Sequence, residues 1–206
     1  MDDFEPSTRP QIDYPDKDLP EYPEDPKHGK LICYVDAAYG NDPKRRRSTT
    51  GYALTYAGGA IVYRSKAQSI TAQSSTESEV IAAVTAAKTV RYVRSVLTEL
   101  GFPQDEPTPI YEDNASAIDI VNSQKPTERT RHMEIRYFAI QDWKQNNEIL
   151  LLHIPGIINP SDDLTKPLGY MLHNRHARFI MNGYNRSSLK IKGSTPDETK
   201  YCTDTL

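Results

Sequence analysis

Four carboxylates stand where a predicted strand ends or a predicted helix begins: Asp36, Glu79, Asp113 and Asp162. Carboxylates that are grouped without matching lysines or arginines repel one another, so a cation is needed to hold such a group together. Hard oxygen ligands suit Mg²⁺ or Mn²⁺. Two such ions, about 3.5–4 Å apart, can clamp both the attacking and the leaving oxygens of a phosphodiester. The residue types therefore indicate metal-assisted phosphodiester hydrolysis.

Each of these side chains also has an ordinary explanation. Asp36 follows a buried strand and could be a turn residue. Asp113 could cap the helix that follows it, and Asp162 shares a helix start with Asp163, another good capping residue. Their order along the chain favours a shared site, because the carboxyl ends of strands in an α/β sheet are where ligands bind.

The longest helix signal begins with two possible capping boxes, Ser74 with Glu77 and Thr76 with Glu79. One capping box needs only one glutamate. If Ser74 caps with Glu77, then Glu79 is free and points along the buried face of the helix. A carboxylate there is costly unless a positive charge, such as a divalent metal ion, pairs with it. The alternative is that both glutamates are caps.

The hydrophobic pattern predicts an α/β domain. Residues 31–38, 51–57 and 60–67 are predicted strands, and Gly58-Gly59 joins the last two as a hairpin, so an antiparallel meander is expected. A strand, a crossover helix and a further strand then favour parallel pairing. The other predicted elements are a helix over 75–100, a strand over 108–113, helices over 114–122 and 131–146, a strand over 148–155, a helix opening at Pro160 and an amphipathic segment over 170–182.

The composition excludes several classes of protein. The 206 residues carry a formal net charge of -3, so the chain is not an obvious polycation. Its two cysteines, Cys33 and Cys202, lie far apart, which indicates a reducing compartment and no disulfide framework. No apolar run reaches the length of a membrane span, and the N-terminal residues lack the apolar region of a signal peptide. We expect a soluble, intracellular protein without a membrane partner.

Charge and proline content divide the chain into three parts. Residues 1–29 are acidic and rich in proline, which predicts a disordered linker or an arm that lies on a surface. Residues 30–168 contain all the predicted strands and form the folded domain. Residues 169–206 are expected to form a helix followed by a disordered tail.

Six short motifs follow one another over roughly residues 31–168. They are Tyr34-Val35-Asp36-Ala37, Arg47-Ser48-Thr49-Thr50-Gly51-Tyr52, Ser74-Ser75-Thr76-Glu77-Ser78-Glu79, Tyr111-Glu112-Asp113-Asn114, Arg129-Thr130-Arg131-His132-Met133-Glu134-Ile135-Arg136-Tyr137 and Ser161-Asp162-Asp163-Leu164-Thr165-Lys166-Pro167-Leu168. With these motifs the chain resembles the ribonuclease H domain of copia-type LTR retrotransposon polyproteins. The resemblance implies a ribonuclease H-like fold, a five-stranded mixed sheet of three antiparallel and then two parallel strands, with helices on both faces.

The resemblance also implies which carboxylates bind metal and act in catalysis, and these are the same four. Glu79 is preferred to Glu77 because Glu-Val-Ile-Ala-Ala matches the helix pattern of related ribonucleases H. Asp162 is preferred to Asp163 because the aspartate of the family precedes one residue and then leucine. The chain departs from cellular ribonucleases H at 156–159, a short segment without the histidine of their loop.

The function implied by the resemblance is an endonuclease that hydrolyses the RNA strand of RNA–DNA hybrids during reverse transcription. The implied cofactors are two Mg²⁺ ions or Mn²⁺, and the implied partner is a polymerase domain of the same polyprotein, in a cytoplasmic virus-like particle or in the nucleus. Two alternatives remain. One is a catalytically inactive remnant that binds nucleic acid or supports a polymerase. The other is a DDE-type integrase or transposase core, in which the glutamate comes last rather than second.

Contacts to the hybrid are expected at two places. A turn-rich loop carries four consecutive cations, a pattern typical of a solvated loop but also suited to phosphate contacts without sequence readout. RNA would be distinguished from DNA by contacts to 2′-hydroxyls, from polar residues near the carboxylates. The cations are Lys44, Arg45, Arg46 and Arg47, and the polar residues are Ser75, Asn114 and Ser116.

Overall fold

The computed structural model of the chain describes Tyr22, residues 29–123 and residues 134–182. Most of the predicted linker 1–29 and the predicted C-terminal tail lie outside the described residues, as does the start of the predicted helix 131–146. The division of the chain into linker, domain and tail therefore stays a prediction.

Five strands form one mixed sheet in the spatial order β3-β2-β1-β4-β5. The strands β1 (Ile32–Ala38), β2 (Thr49–Tyr56) and β3 (Gly59–Ala67) form an antiparallel meander. Parallel to β1 lies β4 (Thr108–Glu112), and parallel to β4 lies β5 (Ile149–His153). The prediction of three antiparallel strands followed by two parallel ones is confirmed.

Helices cover both faces of this sheet. On one face lie three helices, α1 (Ser75–Glu99), α2 (Ala115–Asn122) and α3 (Glu134–Gln145). These helices and the face of the sheet that they cover form one apolar core. On the other face lies α4 (Tyr170–Asn182), which contributes to a second and smaller core. None of the helices in the described part of the chain is long and apolar enough to cross a membrane.

A face of small side chains brings α1 close to the sheet. Four alanines near its N-terminus are completely buried: Ala82, Ala83, Ala86 and Ala87. Because alanine also has the highest helix propensity, this close approach costs the helix nothing in local stability. The first turns of α1 consequently lie against the sheet, and Glu79 lies in them.

The β2–β3 hairpin turns at Ala57-Gly58, one residue earlier than the predicted Gly58-Gly59. Both turn residues have positive φ, 51° at Ala57 and 89° at Gly58. Two positive φ values are typical of a type I′ turn, whose twist matches that of the flanking strands. Gly59 is instead the first residue of β3 and pairs with Tyr56.

Aromatic and isoleucine side chains form the second core. Phe179 of α4 packs edge-to-face on Tyr34 of β1, with ring centroids 5.3 Å apart. Tyr22, which precedes the sheet by ten residues, stacks on Phe179 at 4.0 Å. Its hydroxyl lies 2.7 Å from Nδ1 of His176, a fully buried residue whose pKa is lowered to about 4, chiefly by burial. Tyr22, a residue of the predicted arm, is thus buried against α4.

The helix predicted to open at Pro160 is a 3₁₀ helix of five residues, Pro160–Leu164, rather than an α-helix. The predicted loop before it contains another 3₁₀ turn, Gly156–Ile158. Pro167 accounts for the short length, because a proline disfavours the helical conformation of the residue before it and lacks the N–H that an α-helix uses. The chain instead crosses the end of the sheet before α4 begins.

Gly51 makes this crossing possible. It pairs with Asp36 of β1. A β-carbon at Gly51 would lie 2.5 Å from Cγ2 of Thr165 and 3.0 Å from the carbonyl oxygen of Ser161. The second 3₁₀ helix, Pro160–Leu164, therefore rests directly on the backbone of β2.

The substitution Gly51→Ala should lower the free energy of unfolding by about 1–3 kcal/mol, the usual cost of overpacking. The contact with the Ser161 carbonyl is with backbone, which cannot rotate away as a side chain can. Urea denaturation followed by circular dichroism measures the effect. Gly59→Ala is the matched control, because a β-carbon there meets nothing within 4 Å. Equal stability of the two variants would contradict this packing.

Candidate active site

Two of the predicted site carboxylates meet because β1 and β4 run parallel. Tyr34 pairs with Tyr111, and Asp36 and Asp113 each follow two residues later. Side chains two residues apart on a strand share a face, so both carboxylates leave the same face at the same edge of the sheet. This edge is the carboxyl end of both strands, where open α/β sheets bind their ligands.

Hydrogen bonds of Asn159 hold the segment that contains Asp162 at this end of the sheet. Its Nδ2 donates a hydrogen bond of 2.9 Å to the carbonyl oxygen of Val35. Its Oδ1 accepts bonds from the hydroxyl and the backbone N–H of Ser161, at 2.5 and 3.3 Å. Asn159 is completely buried, so these bonds are protected from water. They hold the second 3₁₀ helix, and with it Asp162, beside the end of β1.

The two glutamates at the start of α1 have different environments. Glu77 is the capping glutamate: its N–H donates to Oγ of Ser74 at 3.1 Å, and its Oε2 accepts from the N–H of Gln73 at 2.6 Å. Glu79 is 6% exposed and faces the sheet. Its Oε2 is buried and accepts no hydrogen bond from the described residues. One of the two capping alternatives is therefore realised, the one that leaves Glu79 free.

Asp36, Glu79 and Asp113 form a cluster of carboxylates. One oxygen from each lies within 4.8 Å of the other two. Asp36 is 2% exposed, and Asp113 is half-buried. Across the residues that the structure describes, no lysine, arginine or histidine forms an ion pair with Glu79 or Asp113. The cluster is thus a concentration of negative charge with little water to screen it.

The ammonium of Lys166 connects Asp162 to the cluster. Nζ of Lys166 lies 3.0 Å from Oδ1 of Asp162 and 3.8 Å from Oδ2 of Asp36. Oδ2 of Asp36 also accepts a hydrogen bond from the hydroxyl of Thr165. The ammonium of Lys166 therefore bridges the carboxylates of Asp36 and Asp162.

The neighbouring Asp163 points elsewhere. Its Oδ1 lies 2.9 Å from Nδ1 of His173 on α4. It therefore contributes to the attachment of α4 rather than to the cluster.

Burial and mutual repulsion raise the pKa values of the cluster. The pKa of Glu79 is raised to about 9, first by burial and then by Asp36 and Asp113. The pKa of Asp162 is raised to about 7 by burial and Asp36, and the pKa of Asp113 is raised by the same two causes. Partial burial lowers the pKa of Lys166, but the carboxylates around it outweigh burial, so its pKa lies above the ordinary value. A cation bound by these groups would favour their ionised forms.

Comparison with known proteins places the chain in a family. No protein-family model matches it. The retrovirus-related Pol polyprotein from transposon TNT 1-94 of Nicotiana tabacum is 39% identical over 136 residues, which are 66% of this chain and 10% of that protein. The corresponding polyprotein from transposon RE1 of Arabidopsis thaliana is 31% identical over 138 residues, 67% of this chain and 9% of that protein. This chain therefore matches about a tenth of the length of these relatives.

A solved structure gives the fold. LC11-RNase H1, isolated from compost by a metagenomic approach, superposes with a TM-score of 0.52 and 16% identity, over 66% of this chain and 93% of that one. The chain belongs with the ribonuclease H domains of copia-type retrotransposon polyproteins. The resemblance found in the six sequence motifs is thereby confirmed, as is the ribonuclease H-like fold.

The cluster fits the divalent metal ions that this family implies. Glu79 offers a buried oxygen that has no hydrogen-bond donor, and a metal ion would satisfy it. Gly156 leaves space for Asp113, because a β-carbon at that position would lie 2.8 Å from its Oδ2. All the offered atoms are carboxylate oxygens, the ligands that Mg²⁺ and Mn²⁺ prefer. The metal-binding and catalytic roles of the four carboxylates stay predictions.

Sequence reasoning missed Glu112, a fully buried carboxyl next to Asp113. Its Oε1 accepts from the N–H groups of Asp113 and Asn114, at 3.1 and 3.2 Å, and so fixes the backbone that carries Asp113. Burial, and then Glu79 and Asp113, raise its pKa well above the ordinary value. Strand alternation could have identified it, because a residue next to Asp113 must face the α1 core.

Three further supporting residues were also missed. Lys166 follows Asp162 by four residues, the spacing of an ion pair on a helix. Asn159 precedes Pro160, which is the pattern of a helix cap followed by proline. Both signals are visible in the sequence. The contact of Thr165 with Asp36 has no local signal, because it joins residues 129 positions apart.

The predicted nucleic-acid contacts lie at the same edge of the sheet. Lys44, Arg45 and Arg46 are exposed on the loop that follows β1, while Arg47 is half-buried. Asn41 connects this loop to the segment that follows Asp162. Its Nδ2 donates a hydrogen bond of 3.3 Å to the carbonyl oxygen of Thr165.

The three polar residues predicted to contact the hybrid differ in exposure and in the hydrogen bonds that they already form. Ser75 and Ser116 are exposed in the first turns of α1 and α2. Oδ1 of Asn114 is committed to capping α2, where it accepts from the N–H of Ala117 at 3.0 Å. Contact of any of these residues with nucleic acid stays a prediction.

The stability of the metal-free protein should fall as the pH rises. Glu79 has an ordinary pKa of 4.5 and a pKa of about 9 in the folded protein. Between these values the folded state binds more protons than the unfolded state, so the free energy of unfolding decreases with pH. Asp162 adds to the decrease between 3.8 and about 7. Urea denaturation in chelator across this range measures the slope, which Glu79→Gln should reduce. A slope of zero or of opposite sign would contradict these pKa shifts.

Proposed function

We propose that the chain is a metal-dependent endonuclease that hydrolyses the RNA strand of RNA–DNA hybrids. The observation that carries the proposal is the meeting of Asp36, Glu79 and Asp113 at the carboxyl ends of β1 and β4, with Asp162 beside them. The ribonuclease H fold and the sequence relationship to retrotransposon Pol polyproteins support a nuclease of this kind.

Asp36 is the central ligand in this proposal. One of its oxygens lies within 4.8 Å of an oxygen of Glu79 and of Asp113, and it shares the ammonium of Lys166 with Asp162. When bound, two Mg²⁺ or Mn²⁺ ions would supply an activated water and would stabilise the charge on the scissile phosphate. The four carboxylates hold the ions, and Glu112 and Asn159 hold the backbone of the carboxylates, so the protein's part is mainly positioning.

Two kinds of side chain would contact the substrate: cations for the phosphates and polar groups for the 2′-hydroxyls. Lys44, Arg45, Arg46 and Arg47 would bind phosphates and would carry no sequence information. Ser75, Ser116 and the amide of Asn114 would contact 2′-hydroxyls across the minor groove, which distinguishes RNA from DNA. The hydrolysis would leave a 5′-phosphate and a 3′-hydroxyl.

The proposed setting is reverse transcription, in which the domain would degrade the RNA template beside a polymerase domain of the same polyprotein. The relatives that support this setting are Pol polyproteins of which the chain matches about a tenth. A polymerase partner would provide some of the contacts that bind the duplex.

The assay that tests this function uses an end-labelled RNA–DNA hybrid with the purified chain in Mg²⁺ and in Mn²⁺. The RNA strand alone should be cut, and chelator should abolish cleavage. Asp36→Asn and Asp162→Asn should each reduce the rate by about two orders of magnitude or more. Asp163→Asn is the matched control, because its carboxylate faces His173.

Three results would contradict the proposal. One is cleavage of both strands, and another is cleavage that survives Asp36→Asn. The third is no cleavage in either metal by the folded protein, which would leave a domain that only binds nucleic acid or that depends on its polymerase.

A further inference from the structure

A cavity of about 180 Å³ lies between the edge strand β3 and α1, outside the carboxylate cluster. Residues of β2 and β3 form one wall, and Ile81 and Thr85 of α1 form the other. Its charged lining side chains are two cations, Arg64 and Lys66, and none of the described residues that line it is acidic. The cavity therefore offers a positive environment at a place that the cluster does not use.

The register of the sheet places both cations on the face that α1 covers. Arg64 pairs with Tyr52, which belongs to the core beneath α1, and Lys66 pairs with Thr50. Side chains two residues apart on a strand share a face, so both basic groups line the same cavity. Both residues are exposed, and neither forms an ion pair with a described residue. Their charge is thus available to an anionic ligand.

Two buried polar side chains in the lining have hydrogen-bonding groups that no described residue satisfies. Thr50 and Gln68 are each 5% exposed. Nε2 of Gln68 donates to Oγ1 of Thr50 at 3.0 Å and to the carbonyl oxygen of Ser78 at 2.9 Å. Oε1 of Gln68 is left buried without a donor among the described residues. Because Oγ1 of Thr50 accepts from Gln68, its own hydroxyl proton remains available to an acceptor in the cavity.

We propose that this cavity binds one ribonucleotide unit, a phosphate with a ribose hydroxyl beside it, from the RNA strand of a bound hybrid. Arg64 and Lys66 would neutralise the phosphate, and the hydroxyl of Thr50 would donate to one of its oxygens. The ribose hydroxyl would donate to Oε1 of Gln68 and so satisfy it. That the ribonucleotide belongs to the substrate rests on the proposed function, whereas binding of a ribonucleotide in the cavity does not.

The cavity lies near enough to the cluster for one nucleic acid to contact both. Thr50 pairs with Ala37, the residue after Asp36, and Lys66 pairs with Thr50. Neighbouring strands are about 4.8 Å apart, so Lys66 lies about 10 Å across the sheet from Ala37. A duplex carries about one phosphate charge per 1.7 Å of its axis, so several phosphates fall within that distance. The cavity would therefore position the hybrid without reading its sequence.

Nuclear magnetic resonance of the nitrogen-15-labelled chain in chelator tests the site in the absence of metal and of cleavage. Titration with adenosine 5′-monophosphate should shift the backbone amide signals of Thr50, Gln68 and Ser69. The 2′,3′-dideoxy form of this nucleotide should bind about three- to tenfold more weakly, because it has no hydroxyl to donate to Gln68. An RNA–DNA hybrid should shift the same three signals.

Variants of the cations distinguish this cavity from general attraction to a basic surface. Lys66→Met should lower the slope of log affinity for the hybrid against log salt concentration by about one. Lys30→Met is the matched control, because Lys30 forms a 2.8 Å ion pair with Glu106 and precedes β1, at the opposite end from Asp36. Its slope should equal that of the wild type. If circular dichroism shows that Lys66→Met does not fold, Arg64→Met replaces it.

The outcomes separate this inference from the function on which it rests. Binding of the hybrid without shifts at the cavity, or equal salt slopes for the folded cation variant and Lys30→Met, would overturn the inference and leave the proposed function intact. Shifts with the mononucleotide alone would assign the cavity to a free nucleotide and overturn the contact with substrate. Failure of the folded chain to bind the hybrid at all would contradict the proposed function, and with it the contact with substrate.

Discussion

Repulsion among buried carboxylates at the carboxyl ends of β1 and β4 is the constraint to which the rest of the site responds. Asp36, Glu79 and Asp113 lie within 4.8 Å of one another, and burial removes the water that would screen them. Lys166 lies 3.8 Å from Oδ2 of Asp36, and the hydroxyl of Thr165 donates a hydrogen bond to the same oxygen. Among the described residues Glu79 and Asp113 form no ion pair, and in the proposed function a divalent cation would balance their charge.

Packing and buried hydrogen bonds hold the carboxylates of the cluster close together. The buried alanines of α1 hold its first turns against the sheet, and Asn159 ties the segment of Asp162 to β1. Gly51 and Gly156 each leave out a side chain where another residue must approach closely. These features lie in the apolar core or in buried backbone bonds, so they keep the carboxylates together although the carboxylates alone would separate. A bound ion would then stabilise the folded state, because it binds the folded chain and not the unfolded one.

Local patterns in the sequence were sufficient for most of the fold. Within the described residues, period-two and helical hydrophobic patterns identified all five strands and the four α-helices. They missed the 3₁₀ turn Gly156–Ile158 and the 3₁₀ form of the segment that begins at Pro160. The order of acidic residues also indicated the candidate site, since strand ends and helix starts are visible in the sequence. Contacts across the sheet were not predictable: Thr165 reaches Asp36, and Asn159 reaches Val35, over more than a hundred residues. Such contacts depend on three-dimensional packing that no local window contains.

Anomalous diffraction from crystals of the chain grown with Mn²⁺ would show directly whether the cluster binds a divalent ion. We expect an anomalous peak within coordination distance of the carboxylate oxygens of Asp36, Glu79 and Asp113. Glu79→Gln crystals should show a weaker peak at the same place. Peaks at surface carboxylates with none at this cluster would contradict the metal site on which the proposed chemistry depends.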